Sequence, residues 1–238
     1  MNKNIVISFA LLLTYFSYIY GAHPSIDGKQ IELAFNATIL TIDKSSPSRN
    51  EVICELLALQ KSLIVSLQKP IPEENQRTGF LLVPMTPEYV SHLLDQKEGC
   101  IVCAYLDQTL VGYILLTGTS EFKELYQDET VGLFESSDDL SQLNSWLAKD
   151  SVGYIEQIAV RPGYSKMGIG SQLIATSKQL NPQGLIADVF IHPVMNEASL
   201  MFFSHLGFTR AGLLHQYSTA NGNFPYAHRT QVFFWNLQ

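Results

Sequence analysis

Tyr154-Ile155-Glu156-Gln157-Ile158-Ala159-Val160-Arg161-Pro162-Gly163-Tyr164-Ser165-Lys166-Met167-Gly168-Ile169-Gly170 decides the reading of this chain. Its first half, Tyr154 to Val160, is a strand pattern. Its second half is a tight glycine-containing loop that opens a helix over Gly168 to Leu180, with Ile169, Leu173, Ile174 and Leu180 as the apolar stripe. The first N–H groups of a helix lack internal partners, and the helix dipole makes that end positive. A diphosphate can be held there by main-chain donors. Gly168 and Gly170 carry no Cβ to keep it away from the backbone, and Lys166 adds a positive charge nearby. An ordinary glycine turn gives the same short pattern, so the loop needs support from elsewhere. No Gly-Lys-Ser/Thr follows at Walker spacing, and no third glycine stands in Rossmann register.

Working outward, Leu185 to Ile191 is a nearly continuous apolar run, as in a strand buried on both faces. Asn196 to Leu206 reads as a helix, capped by Asn196 and stopped by Gly207. Phe208 to His215 and Thr230 to Leu237 are closing strands around an Asn221-Gly222-Asn223 turn. Upstream, Cys100 to Leu106 and Leu110 to Thr117 flank Asp107-Gln108-Thr109 as an antiparallel hairpin. Thr86 caps a helix that begins at Pro87 and runs through Leu94. Val52, Leu56, Leu59, Leu63 and Leu67 predict an amphipathic helix from Asn50 to Lys69-Pro70, followed by a polar linker over Ile71 to Thr78 and a short buried segment over Gly79 to Val83. Ile31 to Ile42 is a first strand. The acidic stretch Ser120 to Lys149 predicts short helices, placed either as a lid or as a solvated excursion. The alternation makes an α/β (α+β) fold, a mixed sheet with helices on its faces.

The loop's support comes from a second motif. Val160-Arg161-Pro162 and Ser165-Lys166-Met167-Gly168-Ile169-Gly170 are followed, one strand later, by Asn196-Glu197-Ala198-Ser199 and Phe203-Ser204-His205-Leu206-Gly207-Phe208. This order resembles the GNAT superfamily of N-acetyltransferases: V-x-P, then R/Q-x-x-G-x-G/A opening a helix, then N-x-x-S/A and an aromatic before L-G-F. The resemblance covers residues 30–238 as one domain and implies a mostly antiparallel central sheet flanked by helices. It also implies acetyl-CoA as co-substrate, no metal, and an amine on a small molecule or peptide as acceptor. Ile158, Ala159 and Val160 would pair with the pantetheine arm like an added strand. The amides of Met167, Gly168, Ile169, Gly170 and Ser171 would cradle the diphosphate beside Ser165 and Lys166. Asn196 would sit near the pantetheine or thioester, or cap its helix.

Two positions depart from the family pattern. Ser165 stands where Arg or Gln is usual, which removes a side chain but keeps the amide donors. Phe203, which the resemblance places at the cofactor site, stands where many members carry a proton-donating tyrosine, so that the acid is another group such as Tyr217 or Tyr226 of the last loop, or water, or absent. For the base, Glu156 lies on the strand beside the cofactor, and period two puts it on one face with Ile158 and Val160. A rim carboxylate is its structural alternative. His192, at the end of the next strand, is the second candidate base. Ser165 and Phe203 together leave open a chain that binds acyl-CoA without turnover, as a sensor or scaffold.

The 238 residues are 46% hydrophobic and carry a net charge of -7, so they bury a sizeable core and argue against a nucleic-acid partner. Three cysteines form no disulfide framework. Cys100 and Cys103 make one C-x-x-C pair with no second ligand pair after it, and are read as small buried hydrophobes rather than a redox or metal site. Residues 1–22 hold Lys3, an apolar run from Ile5 to Tyr20 and then Gly21-Ala22, the layout of a signal peptide or membrane anchor. Export or membrane contact would then have to be reconciled with a cytosolic co-substrate.

Overall fold

A computed structural model describes residues 37–120, 122–123, 132–135, 145, 147–148, 152–216 and 228–236. The expected leader over 1–22, the first part of the 31–42 strand, the 221–223 turn, Tyr217 and Tyr226 lie outside the described residues. Among those described, no helix is long and apolar enough to cross a membrane.

Among the described residues eight strands form one sheet: β1 (Thr38–Ile42), β2 (Cys100–Leu106), β3 (Thr109–Gly118), β4 (Gly132–Glu135), β5 (Val152–Val160), β6 (Gly184–His192), β7 (Thr209–Gln216) and β8 (His228–Trp235). Their spatial order is β1-β2-β3-β5-β6-β8-β7-β4. Every neighbouring pair is antiparallel except β5 and β6. Alternation along β2 sends Ile101 and Cys103 to one face and Val102 and Ala104 to the other. The first face packs on α1 (Arg49–Lys61) and α3 (Pro87–Asp95) through Leu56, Leu59, Val90 and Leu93. The second packs on α4 (Ile169–Leu180) and α5 (Glu197–His205) through Ile169, Leu173 and Phe203.

The predicted long first helix ends early, at Lys61. The Ser62 hydroxyl donates to Leu59 O at 2.7 Å, and the chain then turns extended. Val65 N donates to Leu81 O, and Leu81 N donates to Leu63 O. Apolar residues at helical spacing are thus spent on a bridge to the Gly79–Val83 segment, where tertiary pairing outweighs helix propensity. The stretch read as a polar linker contains α2 (Glu73–Thr78), with Glu73 and Glu74 in its first turn at the positive end of the dipole. The β2–β3 turn is tighter than predicted. Asp107 and Gln108 alone make it, both at positive φ (47° and 64°), the two-residue geometry that matches strand twist. The acidic stretch expected to contain short helices has helical residues at Ser120, Phe122 and Lys123, and it also contributes Gly132–Glu135, an edge strand paired to β7.

The feature that positions the site is a fork. β5 and β6 pair only from Val152↔Gly184 to Ile155↔Ala187, yet both strands run on, to Val160 and His192. Beyond the fork each strand stays paired on its outer side, β5 with β3 as far as Gly112↔Val160 and β6 with β8 as far as His192↔Arg229. The inner edges of the two arms therefore face each other without a ladder.

Candidate active site

One arm of the fork ends in the glycine loop. Arg161 N donates to Val111 O at 2.8 Å and Arg161 Nε to Leu110 O at 3.0 Å, which ties the loop's start to β3. Lys166 and Gly168 both take left-handed φ, 65° and 77°, and Gly168 is the N-cap of α4. The first α4 hydrogen bond runs from Gln172 N to Gly168 O. The amides of Met167 to Ser171 precede that ladder, and none donates to another described residue. Ser165, Lys166 and Gly168 are exposed, and nothing stands within 4 Å of where a Gly168 Cβ would be. Gly170 has a packing role as well. A Cβ there would meet the Phe202 ring at 3.0 Å, so this glycine lets α5 pack against α4. Gly112 does the same beneath the helix, where a Cβ would meet Ile169 Cγ2 at 3.0 Å and Leu173 Cδ1 at 3.2 Å. A shallow groove of about 580 Å³ runs between Ser171 of α4 and Met201, Phe202 and His205 of α5.

At the crotch of the fork the first residues past the last paired couple are Glu156 on β5 and Asp188 on β6. Glu156 is not on the face expected for it. Leu115 pairs with Gln157 and Leu116 with Ile155, so Glu156 is the extra residue of a β-bulge. The bulge breaks period two. Ile155, Ile158 and Val160 pack toward α4, whereas Glu156 and Gln157 both turn to the α1/α3 face. There Tyr89 of α3 donates its hydroxyl to Glu156 Oε1 at 2.8 Å. Beside it, the Tyr154 hydroxyl donates to Asp188 Oδ1 at 2.5 Å. Burial, then the charges of Asp188 and Glu156, hold the Tyr154 hydroxyl well above the ordinary tyrosine range, so it stays a donor at any physiological pH. Gln157 is buried at 7% exposure and accepts on one oxygen from both Gln60 Nε2, at 2.8 Å, and the Tyr113 hydroxyl.

The other residues singled out from sequence sort as follows. Ile158 and Val160 are half-buried and Ala159 buried, all on the β5 arm beyond the fork. His192 is exposed at the far end of the β6 arm, before a cis bond to Pro193. Asn196 caps α5, its Oδ1 accepting from Ser199 N at 3.2 Å, while its Nδ2 donates to Phe80 O at 3.1 Å. Both ends of that buried amide are engaged within the protein, as the capping alternative requires. Phe203 is 2% exposed and packs edge-on against Phe208 and stacked against Phe233, which makes it part of the core. Cys100 and Cys103 fall on opposite faces of β2, as buried hydrophobes do and a shared redox or metal site cannot. Among the described residues no three His, Cys, Asp or Glu side chains are grouped to hold a metal. Sequence reasoning passed over Asp188, Tyr89 and Gln60. Each sits in an otherwise ordinary strand or helix pattern and becomes a neighbour of β5 only through the tertiary fold.

A family model described as the acetyltransferase (GNAT) family matches residues 62–208, a span that includes the fork, the glycine loop and the Asn196 and Leu206-Gly207-Phe208 motif. No curated protein sequence matches. Among solved structures, smu.2055 from Streptococcus mutans UA159 is similar with a TM-score of 0.51 at 14% identity, over 84% of this chain and 99% of that one. The ribosomal-protein-S18-alanine N-acetyltransferase of Escherichia coli gives 0.50 at 11% identity, over 85% and 96%. NAA60 of Arabidopsis thaliana, in complex with acetyl-CoA, gives 0.50 at 16% identity, over 84% and 97%. At these identities the structures speak for the fold, while the family model speaks for the sequence. By a match over more than half its length, on a sheet forked beside a glycine-opened helix, the chain belongs to the acetyltransferase (GNAT) family.

Proposed function

We propose that this chain is an acetyl-CoA-dependent N-acetyltransferase that passes the acetyl group directly to an amine on a small molecule or peptide. The observation that carries the reading is the adjacency of two backbone surfaces: the inner edge of β5 at Ile158 to Val160, which lies past the end of the β5–β6 ladder, and the Met167–Ser171 amides at the start of α4. A pantetheine arm fits the first as a substitute strand at Ile158 to Val160, and a diphosphate fits the second. The similar structure that contains acetyl-CoA supports the same choice of ligand.

Chemically, the amine nitrogen attacks the thioester carbonyl, a C–N bond forms, the C–S bond breaks and CoA leaves as its thiolate. Main-chain donors stabilise the oxygen and sulfur charges that develop. Glu156 stands at the mouth of the fork on the α1/α3 side and takes the amine proton, directly or through one water. His192, exposed at the end of the other arm, remains the second candidate base. Calorimetry on the full chain tests the binding half: acetyl-CoA is expected to bind, and no detectable binding overturns the reading. Thiol release with a panel of amines tests the transfer half, with Glu156→Gln expected to lower kcat by roughly 10²–10⁴-fold. The burial of Phe203 at the usual tyrosine position favours one rival, a chain that binds acetyl-CoA without turnover. Binding with no transfer to any amine would establish that rival.

A further inference from the structure

We propose that Gln157 is a positioning residue for Glu156, and that Gln60 of α1 and Tyr113 of β3 are the clamp that holds it. The inference rests on the reading of Glu156 as the group that receives the acceptor's proton.

A β-bulge supplies one residue more than its partner strand can pair, and nothing in the backbone alone dictates which residue is the extra one. A slip of one position would send Glu156 to the α4 face and remove it from the mouth of the fork. Here the choice is fixed from the neighbouring position. Gln157 Oε1 has two lone pairs, and both are used, one by Gln60 Nε2 and one by the Tyr113 hydroxyl. Gln157 Nε2 points to Val83 O at 3.4 Å, and Gln60 Oε1 accepts from Met85 N at 2.9 Å. One glutamine thus ties β5 to α1, to β3 and to the segment leading into α3, which itself carries Tyr89.

Leu56, Leu59, Tyr113 and Ala159 belong to the apolar cluster on this face, so methionine, an apolar side chain of similar volume, is the substitution that removes the amide and keeps the bulk. Gln60 is 3% exposed and Tyr113 fully buried, so the polar atoms are far from water and keep a single geometry. Tyr89, Tyr154 and Asp188 are among the groups that face Glu156 at the crotch, and the bulge sets the carboxylate's place beside them.

The test is a carbon-detected NMR titration of the Glu156 carboxyl, with kinetics measured alongside. Gln157→Met is expected to move the Glu156 midpoint by about half a pH unit or more, since its surroundings change. It should lower kcat by roughly tenfold or more and leave the acetyl-CoA Kd within about twofold, because a misplaced group costs rate rather than cofactor binding. In a Glu156→Gln background the same change should have no further effect on kcat. Tyr113→Phe, which removes one hydroxyl and keeps the ring, should move the midpoint in the same direction by less and guards against misfolding of the first variant. A Glu156 midpoint unmoved by either variant overturns the proposal. A midpoint that moves in a chain that transfers no acetyl group keeps the positioning role and sinks the base assignment instead.

Discussion

On the α4 side of β5, Ile155, Ile158 and Val160 join Ile169, Leu173 and Phe203 in a cluster built from aliphatic and aromatic side chains. On the α1/α3 side of the same strand, Glu156 and Gln157 meet Tyr89, Gln60 and Tyr113 through side-chain hydrogen bonds. The two faces do different jobs with different forces. Apolar burial is non-directional, so the α4 side holds a helix against the sheet and leaves the glycine loop free to present its amides. Hydrogen bonds are directional, so the α1/α3 side sets where a carboxylate stands. Truncations on the first face should therefore cost stability, and polar substitutions on the second should cost rate.

The largest effect is expected at Phe203. Its ring sits at centroid distances of 5.1 Å from Phe208 and 5.8 Å from Phe233. Phe203→Ala leaves a cavity between α5 and the sheet and should destabilise by about 3–5 kcal/mol. A thermal melt should show Tm lowered by on the order of 10 °C. A loss below about 1 kcal/mol would mean that the ring is not core, and would return the position to the cofactor site that its motif implies.

Gly112 sharpens the comparison because it lies under the helix and away from any reacting group. A Cβ there meets Ala159 O at 3.1 Å as well as the Ile169 and Leu173 side chains. Gly112→Val should cost about 1–3 kcal/mol by overpacking. It should also lift the first turn of α4, so that acetyl-CoA binding by calorimetry weakens while the Glu156 carboxyl midpoint holds. Equal damage to both readouts would show that the two faces are not separable.

The same division explains what the sequence made legible. Thr86 caps α3 by accepting from Tyr89 N at 3.2 Å, Gly168 takes left-handed φ before α4, and Gly207 does so at 79° after α5. These demands are local, and a residue's type states them. The glycine loop, the alternation of elements and the buried β6 were readable on those terms. The face of Glu156 was not, because it depends on how β3 registers against β5, and a strand pattern read alone has period two throughout. Helix α1 stops at Lys61 although Leu63 and Leu67 continue its spacing, because Leu81 competes for that stretch of chain. Asp188 reads as an interruption in an apolar strand until the fork puts it beside Glu156.

The smallest effects are expected at the cysteines, where the two faces can be read out within one strand. Three residues of β-strand span about 10 Å, beyond the Cα separation a disulfide allows, and Cys100 and Cys103 also point to opposite sides of β2. Burial, with the Asp43 charge second, pushes the Cys100 thiol up to about 11, and burial, with Glu55 second, pushes Cys103 to about 12. Only the thiolate reacts with an alkylating agent, so at pH 8 both should be modified orders of magnitude more slowly than in the unfolded chain, while exposed Cys54 reacts first. The sign of the stability effect follows from the same values. Unfolded thiols release their protons near the ordinary thiol value of 9.0 and the folded ones do not. Stability is therefore untouched below that pH and falls as pH rises from about 9 toward 12. Mass spectrometry of the alkylated native chain checks the order of modification. A Cys100–Cys103 disulfide, or rapid labelling of Cys103, would mean that β2 does not separate the two faces as described.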